Sequence, residues 1–182
     1  MLKRILMTSL LTTGFYAQAD NDISYSYFEV GYDYIDLSGA HADGVYLNGS
    51  FDLNKSLYMG GYFDRDDING IDFDQYGLFP GFHNSISKRT DFYSELNIGR
   101  LDVRSFDSTT YGLDIGTRTA FSEKFELITK LGYLHNDKLS DGFIKVGVKG
   151  LFKFNEHNAV TFGVENFDGD DFGASVGYRF SF

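Results

Sequence analysis

The chain carries 4 His, 26 acidic residues and no Cys, and this inventory bounds its chemistry. Two histidines precede an aspartate by two residues, in His41-Ala42-Asp43 and His135-Asn136-Asp137, while His83 and His157 lie near chain turns. A hydrolytic histidine needs an acid that orients it and a nucleophile or activated water within hydrogen-bond reach. Neither segment supplies that second part, and short His and Asp pairs are common in polar loops, so no catalytic residue is expected. Carboxylates crowd at Asp64, Asp66, Asp67, Asp72 and Asp74, and again at Asp168, Asp170 and Asp171. Oxygen-rich loops of this kind suit a hard divalent cation such as Ca²⁺ or Mg²⁺. The stretch from Asp64 to Asp74 departs from the EF-hand pattern, with Ile68 at a ligand position and no closing Glu. Solvation of a surface is the plainer use of these residues, and neither a metal site nor a cofactor is expected.

A third set of charges is regular. Glu29, Glu95, Asp114, Arg118, Glu126, Lys130, Lys145, Lys149, Glu165 and Arg179 recur in segments where every second residue is apolar. In an extended strand, residues two apart share a face. Phe28, Val30, Tyr32 and Tyr34 therefore oppose Tyr27, Glu29, Gly31 and Asp33, and the same alternation returns along the chain. About ten such strands follow one another, with eight as the alternative count, and no segment has helical periodicity. Short turns at 54–56, 84–89, 122–124 and 155–157 alternate with longer acidic loops at 36–43, 65–72, 102–108, 135–141 and 167–171. Pro80 falls inside the fourth strand, where a missing N–H predicts a bulge or a local break in pairing.

Two folds share this pattern. A soluble antiparallel barrel or sandwich would turn the apolar face inward; a membrane barrel turns it to lipid. The ionic face carries both signs at mid-strand positions, the loop lengths are asymmetric, and the chain ends on Phe182, all of which favour the membrane barrel. The expected class is all-β, an antiparallel up-and-down transmembrane β-barrel whose charges line a lumen. Neighbouring strands should then bring Glu95 near Arg118, Glu126 near Lys145 or Lys149, Lys149 near Glu165, and Arg179 near Glu29. Paired charges tolerate partial burial, and a barrel of this size has little interior to spare. A charge-paired, plugged lumen is the first expectation, and a narrow porin-like channel for small solutes or ions is the alternative.

Residues 1–19 read as a Sec-type signal peptide: Lys3 and Arg4, an apolar run from Ile5 to Phe15, then Ala17-Gln18-Ala19. Residues 20–182 form the barrel. Net charge is −10 for the whole chain and about −12 without the two basic leader residues, which argues against a nucleic-acid partner. With 19 Phe and 13 Tyr but no Trp, phenylalanine and tyrosine must form any interfacial girdle.

The run Ser175-x-Gly177-x-x-Phe180-x-Phe182 resembles the terminal assembly signal of bacterial outer-membrane barrels, with Gly177, Phe180 and Phe182 as its marks. Descending strands end in similar fashion at Phe51-Asp52-Leu53-Asn54, Phe82-His83-Asn84, Phe121-Ser122 and Phe152-Lys153-Phe154-Asn155. The chain also resembles the small outer-membrane β-barrel family whose named member was first proposed as an activator of plant immunity, the Ax-type proteins, and more loosely the OmpX-like proteins. The likeness is carried by residues 26–32, Ala42-Asp43-Gly44, Gly60-Gly61-Tyr62, Asp72-Phe73-Asp74-Gln75 and Phe152-Lys153-Phe154-Asn155. It implies an outer-membrane location and no catalytic residues. The implied partners are outer-membrane lipid, lipopolysaccharide, the barrel-assembly machinery and a surface ligand that the sequence does not name. A structural or surface-interaction role with acidic extracellular loops follows as the first functional expectation.

Overall fold

The computed structural model describes residues 23–37, 39–104, 106–138, 142–167 and 171–182; the leader lies outside this set. The described chain forms ten strands: β1 (Tyr27–Leu37), β2 (Ala40–Asp52), β3 (Leu57–Ile68), β4 (Ile71–Ser87), β5 (Thr90–Val103), β6 (Phe106–Ala120), β7 (Phe125–Asn136), β8 (Gly142–Lys153), β9 (Asn158–Phe167) and β10 (Asp171–Ser181). Each pairs antiparallel with its sequence neighbours, and β10 closes on β1 from Tyr27↔Ser181 to Asp36↔Phe172. Closure satisfies every strand edge, which is the condition for a sheet to stand in hydrocarbon.

Alternation decides the two surfaces. Phe28, Val30 and Tyr32 on β1, Leu96 and Ile98 on β5, Leu113 and Ile115 on β6, and Val146 and Val148 on β8 all point outward and are exposed. Soluble exteriors rarely carry an apolar band of this extent, and one that encircles the barrel fits contact with lipid. Along the end that holds both termini of the described chain, Ile23 and Phe182, the side chains of Phe51, Phe82, Phe121, Phe125, Phe152, Phe154, Phe180 and Phe182 stand exposed as a belt. Toward the other end, Tyr32, Tyr34, Tyr76, Tyr111 and Tyr133 stand exposed. The Tyr32 hydroxyl donates to Asp43 at 2.5 Å and that of Tyr76 to Asp102 at 3.2 Å, which anchors two of these rings at a wet boundary.

The connections differ from the expected asymmetry. At the end with the termini they span 53–56, 88–89, 121–124 and 154–157; at the opposite end they span 38–39, 69–70, 104–105, 137–141 and 168–170. The expected loops at 36–43, 65–72 and 102–108 are mostly strand. Polar residues there mark where the wall leaves lipid, and pairing continues because the backbone ladder needs only an extended chain. Asn69 and Gly70 both adopt positive φ, 55° and 81°, and join β3 to β4 as a tight hairpin. An Asn-Gly step between alternating strands is the usual signal for that turn. At the end with the termini, Asn54 Oδ1 accepts from the N–H groups of Ser56 and Leu57, and Asn155 Oδ1 repeats the arrangement with His157 and Asn158.

Pro80 faces outward in β4 without a bulge. Register to β5 is the same before and after it, Leu78↔Ile98 and Gly81↔Glu95, although the two rungs between are missing. The register shift lies instead between Ser85 and Ser87, next to the turn.

Candidate functional site

All ten charges of the regular set face the lumen, and the sheet register decides who meets whom. Glu29 and Arg179 are directly opposite across the β1–β10 closure, and Arg179 donates to Glu29 from Nε and Nη2, both at 2.6 Å. Glu29 is 0% exposed and also accepts from Lys149 Nζ at 2.9 Å, the Tyr46 hydroxyl at 2.8 Å and the Thr161 hydroxyl at 3.3 Å. A carboxylate this deep is held by charge-assisted bonds on both oxygens. Glu126, 1% exposed, is likewise held by Arg118 at 2.6 Å and Lys153 at 3.3 Å.

Two further pairs reach over a glycine. Gly132 of β7 is opposite Asp114 on one side and Lys145 on the other, and Lys145 meets Asp114 at 3.5 Å across it. Gly147 of β8 is opposite Lys130 and Glu165, which meet at 2.7 Å. A Cβ on Gly132 would collide with the Asp114 carboxylate. Tyr46 uses the same device and lies over Gly31 and Gly177, the latter a residue of the terminal signature.

Several expected pairings are therefore corrected. Glu95 does not reach Arg118; it accepts from the Tyr58 hydroxyl at 2.8 Å. Glu126 meets Arg118 and Lys153 in place of Lys145 or Lys149, and Lys149 reaches Glu29 while Glu165 takes Lys130. Sequence spacing orders the residues along each strand, whereas long side chains choose diagonal partners or cross a glycine.

The lumen is divided into a packed floor and an open upper chamber. Toward the end with the termini, Tyr58, Phe79 and Tyr93 are buried together with Ile23 and Tyr25, two residues that precede the first strand and turn into the barrel. The Tyr25 ring stacks on His83 at 4.0 Å, and the Arg118 guanidinium lies 4.4 Å above it. Arg118 Nη1 donates to the Ser24 carbonyl at 2.9 Å, and the Ser50 hydroxyl donates to the Tyr25 carbonyl at 2.5 Å. Arg179 covers Tyr27 at 3.8 Å. Nothing in the alternation pattern pointed to Ile23 and Tyr25, since a segment outside the ladder carries no periodicity.

Above this floor is a cavity of about 270 Å³, lined among others by Asp33, Tyr46, Asp64, Tyr93, Glu95, Lys130, Lys149 and Glu165. On the β1–β3 wall of the lumen, among the described residues, no cation lies within ion-pair distance of Asp33 and Asp64, which line the cavity, or of Asp66, which faces inward beyond it. Between the rims, the described inward carboxylates are Glu29, Asp33, Asp64, Asp66, Asp91, Glu95, Asp114, Glu126 and Glu165; the inward cations are Arg118, Lys130, Lys145, Lys149, Lys153 and Arg179. Among the described inward residues, carboxylates thus outnumber cations by nine to six.

The acidic set divided as loop residues is split by the strands. Asp64 and Asp66 face inward, Asp67, Asp72 and Asp74 outward, and Asp171 opens β10; Asp168 and Asp170 lie outside the described residues. Asp74 accepts from Arg65 at 2.6 Å. Among the described residues no group of three or more His, Cys, Asp or Glu is placed to hold a metal ion. His41 stacks on Tyr34 at 6.0 Å on the outer surface, and His83 lies in the floor, 3.7 Å from Asp91. In the terminal signature, Phe180 and Phe182 project outward with ring centroids 6.5 Å apart.

No protein-family model matches the chain, and no curated protein matches it. Among solved structures it is similar to the NanC porin, at 9% identity and a TM-score of 0.55, covering 85% of this chain and 100% of that one. It is also similar to the KdgM porin in complex with disordered oligogalacturonate, at 13% identity and a TM-score of 0.50, covering 85% of this chain and 99% of that one. At such identities the likeness is one of fold. None of these comparisons bears on the Ax-type resemblance.

Proposed function

We propose that this chain is a bacterial outer-membrane barrel that acts as a narrow channel with a preference for small cations. The carrying observation is the chamber of about 270 Å³ on whose lining Asp33 and Asp64 are free of ion pairs among the described residues, while every lining lysine is paired, in a lumen whose described inward carboxylates outnumber its inward cations. A low-dielectric wall concentrates the field of such charges and raises the local density of counter-ions. The porin fold of the NanC and KdgM structures supports the location and the channel reading. Oligogalacturonate, the polyanion bound by KdgM, suits this lumen poorly, because the acidic wall would repel it.

In this orientation the end with the termini faces the periplasm, and the tyrosine belt with its acidic rim meets lipopolysaccharide. The barrel-assembly machinery would take up the strand that ends in Phe182. The second reading, a surface scaffold with a shut lumen, is favoured by the packed floor around Tyr25 and Arg118. Planar-bilayer recordings in a salt gradient separate the two. Discrete steps with a reversal potential on the K⁺ side are expected, and Asp33→Asn with Asp64→Asn should move it toward zero while leaving the barrel folded. Steps that favour Cl⁻ would overturn the charge argument, and a silent, folded protein would favour the scaffold.

A further inference from the structure

We propose that residues 23–26 are a displaceable plug, and that their withdrawal from the periplasmic mouth opens the channel. The inference rests on the channel reading above. Three observations carry it.

First, these residues are not part of the wall. β1 begins at Tyr27, and the segment before it is inside the barrel, with Tyr25 2% exposed. Its polar attachments to the wall are the Arg118 bond to the Ser24 carbonyl, the Ser50 bond to the Tyr25 carbonyl, the Phe182 N–H bond to the Ser26 carbonyl at 3.1 Å, and the Ser26 hydroxyl, which donates to the Asp52 carboxylate and accepts from the Asp52 N–H, both at 3.0 Å; the Tyr25 ring adds contacts with His83, Tyr58 and Arg118.

Second, the plug is the layer between two spaces. Arg118 lines the large chamber and also a recess of about 20 Å³ on its periplasmic side, and Ser24 lines that recess while Tyr25 lines the chamber. Removing Ser24 and Tyr25 would leave the Arg118–Glu126 pair at one wall, with the two spaces joined beside it.

Third, release strands little. Arg118 keeps its bonds to Glu126 at 2.6 and 2.7 Å, so no buried cation is left alone. The Tyr25 hydroxyl is buried with no hydrogen-bond partner in the docked state, a penalty that withdrawal into water relieves. A permanent floor strand would be bonded along its whole backbone; this segment is held by groups that have other partners or can turn to water.

The absence of native Cys makes a direct test clean. In the full chain, Tyr25→Cys and His83→Cys are bridged by a short, reducible thiol crosslinker, and the bridge is scored by mass independently of any current. Single-channel recordings follow before and after reduction, with the single variant Tyr25→Ala as a second route to an unplugged barrel. Efficient bridging, with an open probability that rises at least tenfold on reduction and is high in Tyr25→Ala, is the expected result. Failure to bridge in folded, heat-modifiable protein would overturn the docked position. Bridging with the same current before and after reduction would overturn the gate while the channel survives. Silence in every state, Tyr25→Ala included, would overturn the channel and the gate with it.

Discussion

The two halves of the lumen are made from the same ten strands and the same alternation, yet one is closed and the other open. On the half that holds Phe182, the deep carboxylates Glu29 and Glu126 have cations at bonding distance, Arg179 and Arg118, and aromatic rings fill what remains. On the other half the β1–β3 wall presents Asp33 and Asp64 to a chamber of about 270 Å³, with Asp66 facing inward beyond them. The difference teaches that backbone closure does not decide how much of a barrel is filled. Side-chain length and pairing do, together with the extra segment that lies in the floor.

That contrast is broken most directly at Glu29. Arg179→Ala leaves a 0% exposed carboxylate facing only Lys149 among the cations, and a loss of about 3–5 kcal/mol is expected, the range for breaking a buried pair. Urea unfolding in lipid vesicles, followed by heat-modifiable migration, measures it. Replacing Glu29 and Arg179 together by Leu should recover most of the loss; no recovery would mean that the pair acts through something other than charge.

A smaller effect tests the outer surface. Leu96→Lys sets a charge in the middle of the apolar band, at a residue 61% exposed, and about 2–4 kcal/mol of destabilisation is expected for a lysine near the bilayer midplane. The same unfolding assay in detergent should shrink the effect if the band faces lipid. An equal loss in both media would argue that the band is not a lipid surface.

Gly132→Val comes next. Its side chain would displace the Asp114 carboxylate and part it from Lys145, at a cost of about 1–3 kcal/mol for overpacking. Gly150→Val, on a neighbouring strand but facing outward, provides the control, since its Cβ meets only the edge of the Phe125 ring at 3.3 Å. Equal losses at the two glycines would remove the special role assigned to the inward one.

The smallest effect is expected outside the lumen. Arg65 is bonded to Asp74 at 2.6 Å but is well exposed on the outer rim, and exposed pairs contribute little. Arg65→Ala should leave both unfolding and conductance unchanged within error, which sets the baseline for the lumen variants. A measurable loss there would show that the rim pair anchors the β3–β4 hairpin.

Much of the fold was legible because a barrel wall writes itself into sequence with period two. The pairs Phe28/Glu29 and Val146/Lys145 already separate the outer face from the inner, and ten alternating runs without a helix allow few architectures. Polarity overstates loop length because it marks the edge of the lipid layer, and β3 and β4 continue past that edge to the Asn69-Gly70 turn. The turn itself was signalled by Asn-Gly and obscured by the aspartates around it.

Sequence alone determined which residues are apolar, which are charged and that they alternate, and so it determined the two faces of the wall. It could not determine the partners. Arg118 chooses Glu126 diagonally, Lys145 reaches Asp114 only because Gly132 has no side chain, and Tyr25 enters the floor from outside the ladder. Each of these depends on stagger between strands distant in sequence and on the space enclosed when β10 meets β1. Those quantities exist only once the barrel has closed.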